Sequence, residues 1–89
     1  MTYRVIIPAS TERQLDKLEP DIRRRIQRRI VSLEQNPRPH DVIKLKGLDA
    51  YRIREGNYRV IYTIEDTIRI VTVIKVDHRR DVYRPQSKI

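Results

Sequence analysis

Cysteine is absent from this chain, and so are phenylalanine and tryptophan. Without cysteine there is neither a disulfide scaffold nor a thiolate zinc site, which fits a reducing compartment and an expected cytoplasmic location. Without Phe or Trp, the core has to be built from Ile, Val and Leu, trimmed with the five Tyr. Acid is in short supply: 12 Asp+Glu stand against 20 Lys+Arg, a formal net charge of +8. No apolar run approaches the ~18 residues of a membrane span, and the N-terminal stretch lacks the apolar segment of a signal peptide. The expectation is a chain with no leader and no membrane anchor.

What remains is a small, basic α+β domain. At 89 residues the chain is read as one domain, 1–89, with no room for a second core. A domain of this size buries only about 60–65% of its unfolded surface, so modest stability is expected. The charge excess, clustered on arginine, predicts an anionic partner: nucleic acid, an acidic protein, or both.

Along the chain, "TYRVIIP" (2–8) is rich in β-formers and stops at Pro8, as a strand would. "ASTERQLDKL" (9–18) reads as a short helix with Leu15 and Leu18 on one side. Pro20 suits the first position of a second helix, and Asp21 in its first turn complements the helix dipole. Across about 20–35, Ile22, Ile26, Ile30 and Leu33 recur at spacings of four, four and three, one apolar stripe. Arg23, Arg24, Arg25, Arg28 and Arg29 fill the gaps, and Asn36 followed by Pro37 supplies the stop. "RPHDVIKLKGLDA" (38–50) reads as a connecting loop with a short extended piece. Three strands follow, at about 50–55, 58–64 and 68–76, in an antiparallel meander. The last of them is apolar at nearly every position, which suits an interior strand. The order β-α-α-β-β-β describes an α+β fold: a curved, mainly antiparallel sheet with two N-terminal helices packed on one face.

The hairpin "YRIREGNYRVIY" (51–62) carries the main functional signal. Gly56-Asn57 is a two-residue turn pair, because glycine tolerates positive φ at the first central position. That turn sets Glu55 opposite Tyr58, Arg54 opposite Arg59 and Arg52 opposite Ile61. Alternation then sends Tyr51, Ile53, Tyr58, Val60 and Tyr62 toward the helices, and Arg52, Arg54 and Arg59 to the other face. Directly opposed like charges destabilise a sheet. Glu55 falls on the wrong face, and no acid follows until Glu65. Folding alone gives no reason for this arrangement, whereas guanidinium forks on a rigid sheet suit a phosphodiester.

These features, with "YRVIIPA" near the start, "LEQNP" closing the second helix, "KLKGL", and "VIKVDHRRDVY" at the end, resemble the RelE branch of the RelE/ParE toxins. Those are the toxic halves of bacterial type II toxin–antitoxin operons. The resemblance runs over about residues 3 to 83. It implies a metal-independent endoribonuclease with no cofactor, cutting messenger RNA in the ribosomal A site. The ribose 2′-OH would attack the adjacent phosphate, giving a 2′,3′-cyclic phosphate and a 5′-OH. It also implies a cognate antitoxin, acidic and partly helical. Carried over by motif, the phosphate-holding and charge-stabilising groups are Arg52, Arg54, Arg59 and Arg79, and Tyr83 stacks on or acts beside the cut nucleotide.

The family's best-known member has Lys at the two positions held here by Arg52 and Arg54. Arginine is a poor general base, so proton transfer is sought at His78, imidazole being the usual side chain for that role; otherwise His78 orients Tyr83 or contacts RNA. Lys44, Lys46 and Arg80 are read as contacts to the RNA backbone, the arginines of the second helix as a solvated face or an outer contact surface, and His40 as simply exposed. A rival reading is the ParE branch, which shares the fold and poisons DNA gyrase without catalysis.

Overall fold

The computed structural model describes residues 2–78. Its elements run β1 (Arg4–Ile6), α1 (Ala9–Asp16), α2 (Pro20–Ser32), β2 (Ile43–Lys44), β3 (Tyr51–Glu55), β4 (Tyr58–Glu65) and β5 (Ile70–His78). The five strands form one mixed sheet in the order β1-β5-β4-β3-β2. β2 through β5 pair antiparallel, and β1 lies parallel to β5. This is the expected α+β architecture. The extended piece in the 38–50 loop is a two-residue strand that adds itself to the sheet edge beside β3.

Proline and dipole placement explain the helix starts. Pro8 stands at the N-cap of α1, and Pro20 opens α2 with Asp21 in its first turn, where a missing N–H costs nothing and an acid is favoured. The apolar stripe of α2 and Leu15 of α1 pack onto one face of the sheet. Leu15, Ile26, Ile30 and Leu33 meet Ile53, Val60, Tyr62, Ile64, Val71, Val73 and Val76, with Leu18 and Ile22 at the margin. Each such aliphatic side chain contributes about 1.5–3 kcal/mol by leaving water.

The loop after α2 is tied down by polar contacts. The Tyr62 hydroxyl, buried beneath it, donates to the Pro37 carbonyl oxygen at 2.7 Å, and burial pushes that phenol up to about 12. Arg38 forks onto Asp66 (Nη1–Oδ1 3.1 Å, Nη2–Oδ2 2.8 Å) and lies 5.2 Å from the Tyr51 ring centroid. Tyr3 donates to the same carboxylate at 2.6 Å. The Arg38 fork, then the Tyr3 hydroxyl, hold the Asp66 carboxyl down at about 2.

One irregularity positions the site. Between β4 and β5, Ile61 pairs with Lys75 but Tyr62 pairs with Val73, which leaves Ile74 as an extra residue in β5. Such a bulge reverses which side chains face which way beyond it. On the β1 side of β5, pairing with β1 ends at Thr72. There α1 takes over. The Thr11 hydroxyl donates to the Val73 carbonyl oxygen, and the Val76 N–H donates to Gln14 Oε1, each at 2.8 Å. Two backbone groups flanking the bulge thus find partners in helix side chains.

Candidate functional site

The β3–β4 turn is built on Gly56, whose φ is 60°. Positive φ at the first central position with an ordinary φ at Asn57 is the type II′ pattern, whose twist matches that of the strands. It fixes the register Arg52↔Ile61, Ile53↔Val60, Arg54↔Arg59 and Glu55↔Tyr58. Ile53, Val60 and Tyr62 enter the core, so Arg52, Arg54 and Arg59 share the sheet face opposite α1 and α2. Arg54 is exposed, Arg52 half-buried, and Arg59 only 4% exposed.

A guanidinium as enclosed as that of Arg59 needs an anion nearby. β5 brings a carboxylate into register with it, a placement that local sequence reasoning missed. Arg59 is register partner to Asp77, so a row runs Arg54–Arg59–Asp77 across three strands, and the next runs Arg52–Ile61–Lys75. At about 4.8 Å per strand the first row spans about 10 Å. Lys75 Nζ lies 3.2 Å from Asp77 Oδ2, which confirms that the two side chains share this face. Among the described residues these two adjacent rows therefore hold four cations and one carboxylate.

His78 is elsewhere. It pairs with Tyr58, and their rings meet edge-on with centroids 5.0 Å apart, on the side that carries Val60 and Val76. By register, His78 stands on the side of the sheet opposite the three arginines. The bulge is the physical reason: strict alternation from Val71 and Val73 would have turned His78 to the arginine face and Asp77 away.

Lys44 also falls off the arginine face, because it pairs with Tyr51 while Ile43 pairs with Arg52. Lys46 is exposed in the turn after β2, and His40 is exposed. On α2, Arg24 pairs with Asp21 and Arg29 with Asp41. Arg25, Arg28 and Arg29 line a shallow groove with Ser32 and Glu55, on the helix side and apart from the arginine row. Among the described residues no three His, Cys, Asp or Glu side chains are grouped to hold a metal ion, and no helix is long and apolar enough to cross a membrane. Arg79, Arg80 and Tyr83 lie outside the described residues.

Comparison with known proteins decides the family. Residues 5–83 match the family model described as the ParE toxin of type II toxin–antitoxin systems. The chain belongs to the RelE/ParE toxin family. A relative in Mycobacterium tuberculosis, the toxin RelG, is 31% identical over 86 residues, which cover 94% of this chain and 99% of that protein. Among solved structures, the archaeal RelE–RelB complex of Pyrococcus horikoshii matches at 38% identity and a TM-score of 0.80, over 89% of this chain and 97% of that one. The intact E. coli RelBE toxin–antitoxin complex matches at 28% identity and a TM-score of 0.72, over 85% of this chain and 95% of that one. The fold of this RelE/ParE member is accordingly RelE-like, and its sheet carries the basic hairpin on the side away from the helices.

Proposed function

We propose that this RelE/ParE toxin is a metal-independent endoribonuclease that cleaves messenger RNA in the ribosomal A site. The attacking group is the ribose 2′-OH, and the products end in a 2′,3′-cyclic phosphate and a 5′-OH. The observation that carries this reading is the common face of Arg52, Arg54 and Arg59, with Arg54 and Arg59 in direct cross-strand register. A phosphodiester lying across that pair meets two guanidinium forks on rigid strands. As the phosphorane forms, its added negative charge is met by groups already oriented, which is where electrostatic catalysis is strongest. Arg52 extends the cationic surface along the strand. The family resemblance assigns Arg79 a further phosphate contact and Tyr83 a stacking or proton-donating role. Lys46 and Arg80, with Lys44 at the edge strand, are assigned to RNA backbone farther from the cut.

The complexes of relatives with RelB support a cognate antitoxin for this chain as well. An acidic, partly helical segment would cover the basic surface and block Arg59 or displace the tail that carries Tyr83. The ParE description of the matched family model supports a second reading, a gyrase poison without turnover. Primer extension on a translated message after brief induction, run beside a supercoiling assay, separates the two. The ribonuclease reading expects discrete breaks in message, none at a 2′-deoxy position, and relief of growth arrest by Arg59→Ala or Tyr83→Phe. Intact message with blocked supercoiling would favour the gyrase reading instead.

A further inference from the structure

Self-cleavage of an RNA strand through its own 2′-hydroxyl needs a proton acceptor, and the three hairpin arginines cannot supply one. His78, the natural acceptor by residue type, sits with Tyr58 on the opposite side of the sheet. Glu55 pairs with Tyr58 and shares that side. Among the described residues, the register leaves one carboxylate on the arginine face beside the phosphate-binding pair.

We propose that the Asp77 carboxylate is the general base of the cleavage, taking the proton of the attacking 2′-hydroxyl; this rests on the ribonuclease reading above. Asp77 is one strand spacing from Arg59 and two from Arg54, so a phosphate held between the arginines brings the adjoining ribose over β5. The groups facing Asp77 are Arg59 from β4, Arg54 beyond it on β3, Arg52 diagonally, and Lys75 on its own strand. Its side chain is 18% exposed, open to one reactant group and sheltered from bulk water. In the step, Asp77 accepts the 2′-OH proton as the 2′-oxygen bonds to phosphorus and the bond from phosphorus to the 5′-oxygen breaks. The departing 5′-oxygen takes a proton from water, and Asp77 returns its own to solvent, so the enzyme is restored. The bulge at Ile74 is part of this device, because it exchanges Asp77 for His78 on the reacting face.

The test uses the full chain and ribosomes carrying a message with a defined A-site codon, followed in single turnover. Wild-type cleavage is recorded from about pH 5.5 to about pH 8 as the reference profile. Asp77→Asn should lower the rate by about 10²–10⁴-fold and leave a residual rate that climbs with pH as hydroxide takes over. Asp77→Glu should recover part of the loss, and added formate should raise the rate of Asp77→Ala, an effect that a purely structural partner of Arg59 would not produce. Binding to ribosomes with a 2′-deoxy message should be unchanged in the Asn variant. Cleavage by Asp77→Asn within about threefold of wild type, with the same pH profile, overturns the assignment and leaves the ribonuclease reading intact. So does a slow variant that keeps the wild-type profile and ignores formate. Absence of cleavage by the wild-type chain overturns the reading and the assignment together.

Discussion

The Thr11 hydroxyl donates to the carbonyl oxygen of Val73, 2.8 Å away and fully buried. Val73 is the last residue of β5 before the bulge, and its neighbour on the open side is no longer β1 but a helix. With Gln14 accepting from the Val76 N–H, α1 acts there as a substitute strand, satisfying backbone groups that would otherwise be costly to bury. The pair of contacts also pins the extra residue at Ile74, and with it the identity of the residue in register with Arg59.

Removing those contacts should therefore affect the site from a distance. Thr11→Val keeps the shape and leaves the Val73 carbonyl unpaired, at a cost of about 1–3 kcal/mol. Gln14→Ala should cost about as much and speed amide hydrogen exchange at Val76. Combined, the two should lower message cleavage more than the loss of stability accounts for, because the strand gains freedom to slip by a residue. Urea unfolding, amide exchange and cleavage at a temperature where both proteins stay folded check this. A double variant of lower stability but full activity and unchanged exchange at Val76 would show that the bulge holds itself.

The same bulge marks where sequence stops being legible. The apolar stripe Ile22–Leu33, the prolines at the helix starts and the Gly56-Asn57 turn are local signals, and each element formed within a few residues of its expected place. The hairpin register followed directly from the length of its turn. By contrast, the partner of Arg59 comes from a strand about eighteen positions away, and its face depends on an inserted residue that no pattern announces. Ile74 is as apolar as Val71 and Val73 before it, so strict period-two counting assigns His78 to the face that Asp77 occupies. Arg38 was hidden for a related reason. It sits in a loop with no periodicity, and its partners Asp66 and Tyr51 are brought to it only by the assembled sheet.

Tyr62→Phe tests how the loop after α2 is held. The hydroxyl is buried against the Pro37 carbonyl, so its loss leaves an acceptor unpaired and should cost about 1–3 kcal/mol in urea unfolding. Since burial raises that phenol to about 12, the difference between variant and wild type should not change between about pH 5 and pH 9. A neutral substitution would mean that water replaces the contact.

Asp66 predicts an acid-labile component of stability. Its carboxyl is lowered from the ordinary 3.8 to about 2 by the Arg38 fork and the Tyr3 hydroxyl, so the folded state binds the proton less readily than the unfolded one. The stabilisation is complete above the unfolded value and disappears as pH falls through the folded value. Asp66→Asn should lower the melting temperature at neutral pH, and the gap to wild type should close between about pH 4 and pH 2. The site is exposed and salt weakens such pairs, so the gap should also narrow in high salt. A gap that persists at the acid end would assign the effect to packing instead of charge.

Arg54→Thr should separate stability from function. Arg54 and Arg59 are opposed like charges, a pairing that costs a sheet about 0.2–1 kcal/mol, and Asp77 offsets only one side of it. Threonine suits a strand and carries no charge, so the variant should unfold at a higher urea concentration, by a few tenths to about 1 kcal/mol. It should also cleave message more slowly, having lost one of two guanidinium forks on the phosphate. Its RNA binding should be less steeply weakened by salt, because one fewer phosphate contact releases fewer counterions. Arg59→Thr should differ in sign on the first measurement: with Arg59 removed, Asp77 keeps Lys75 but loses the favourable field of the guanidinium in register with it, and stability should fall. Should both variants be stabilised alike, Asp77 does not hold Arg59 in place and the three-strand charge row has no structural consequence.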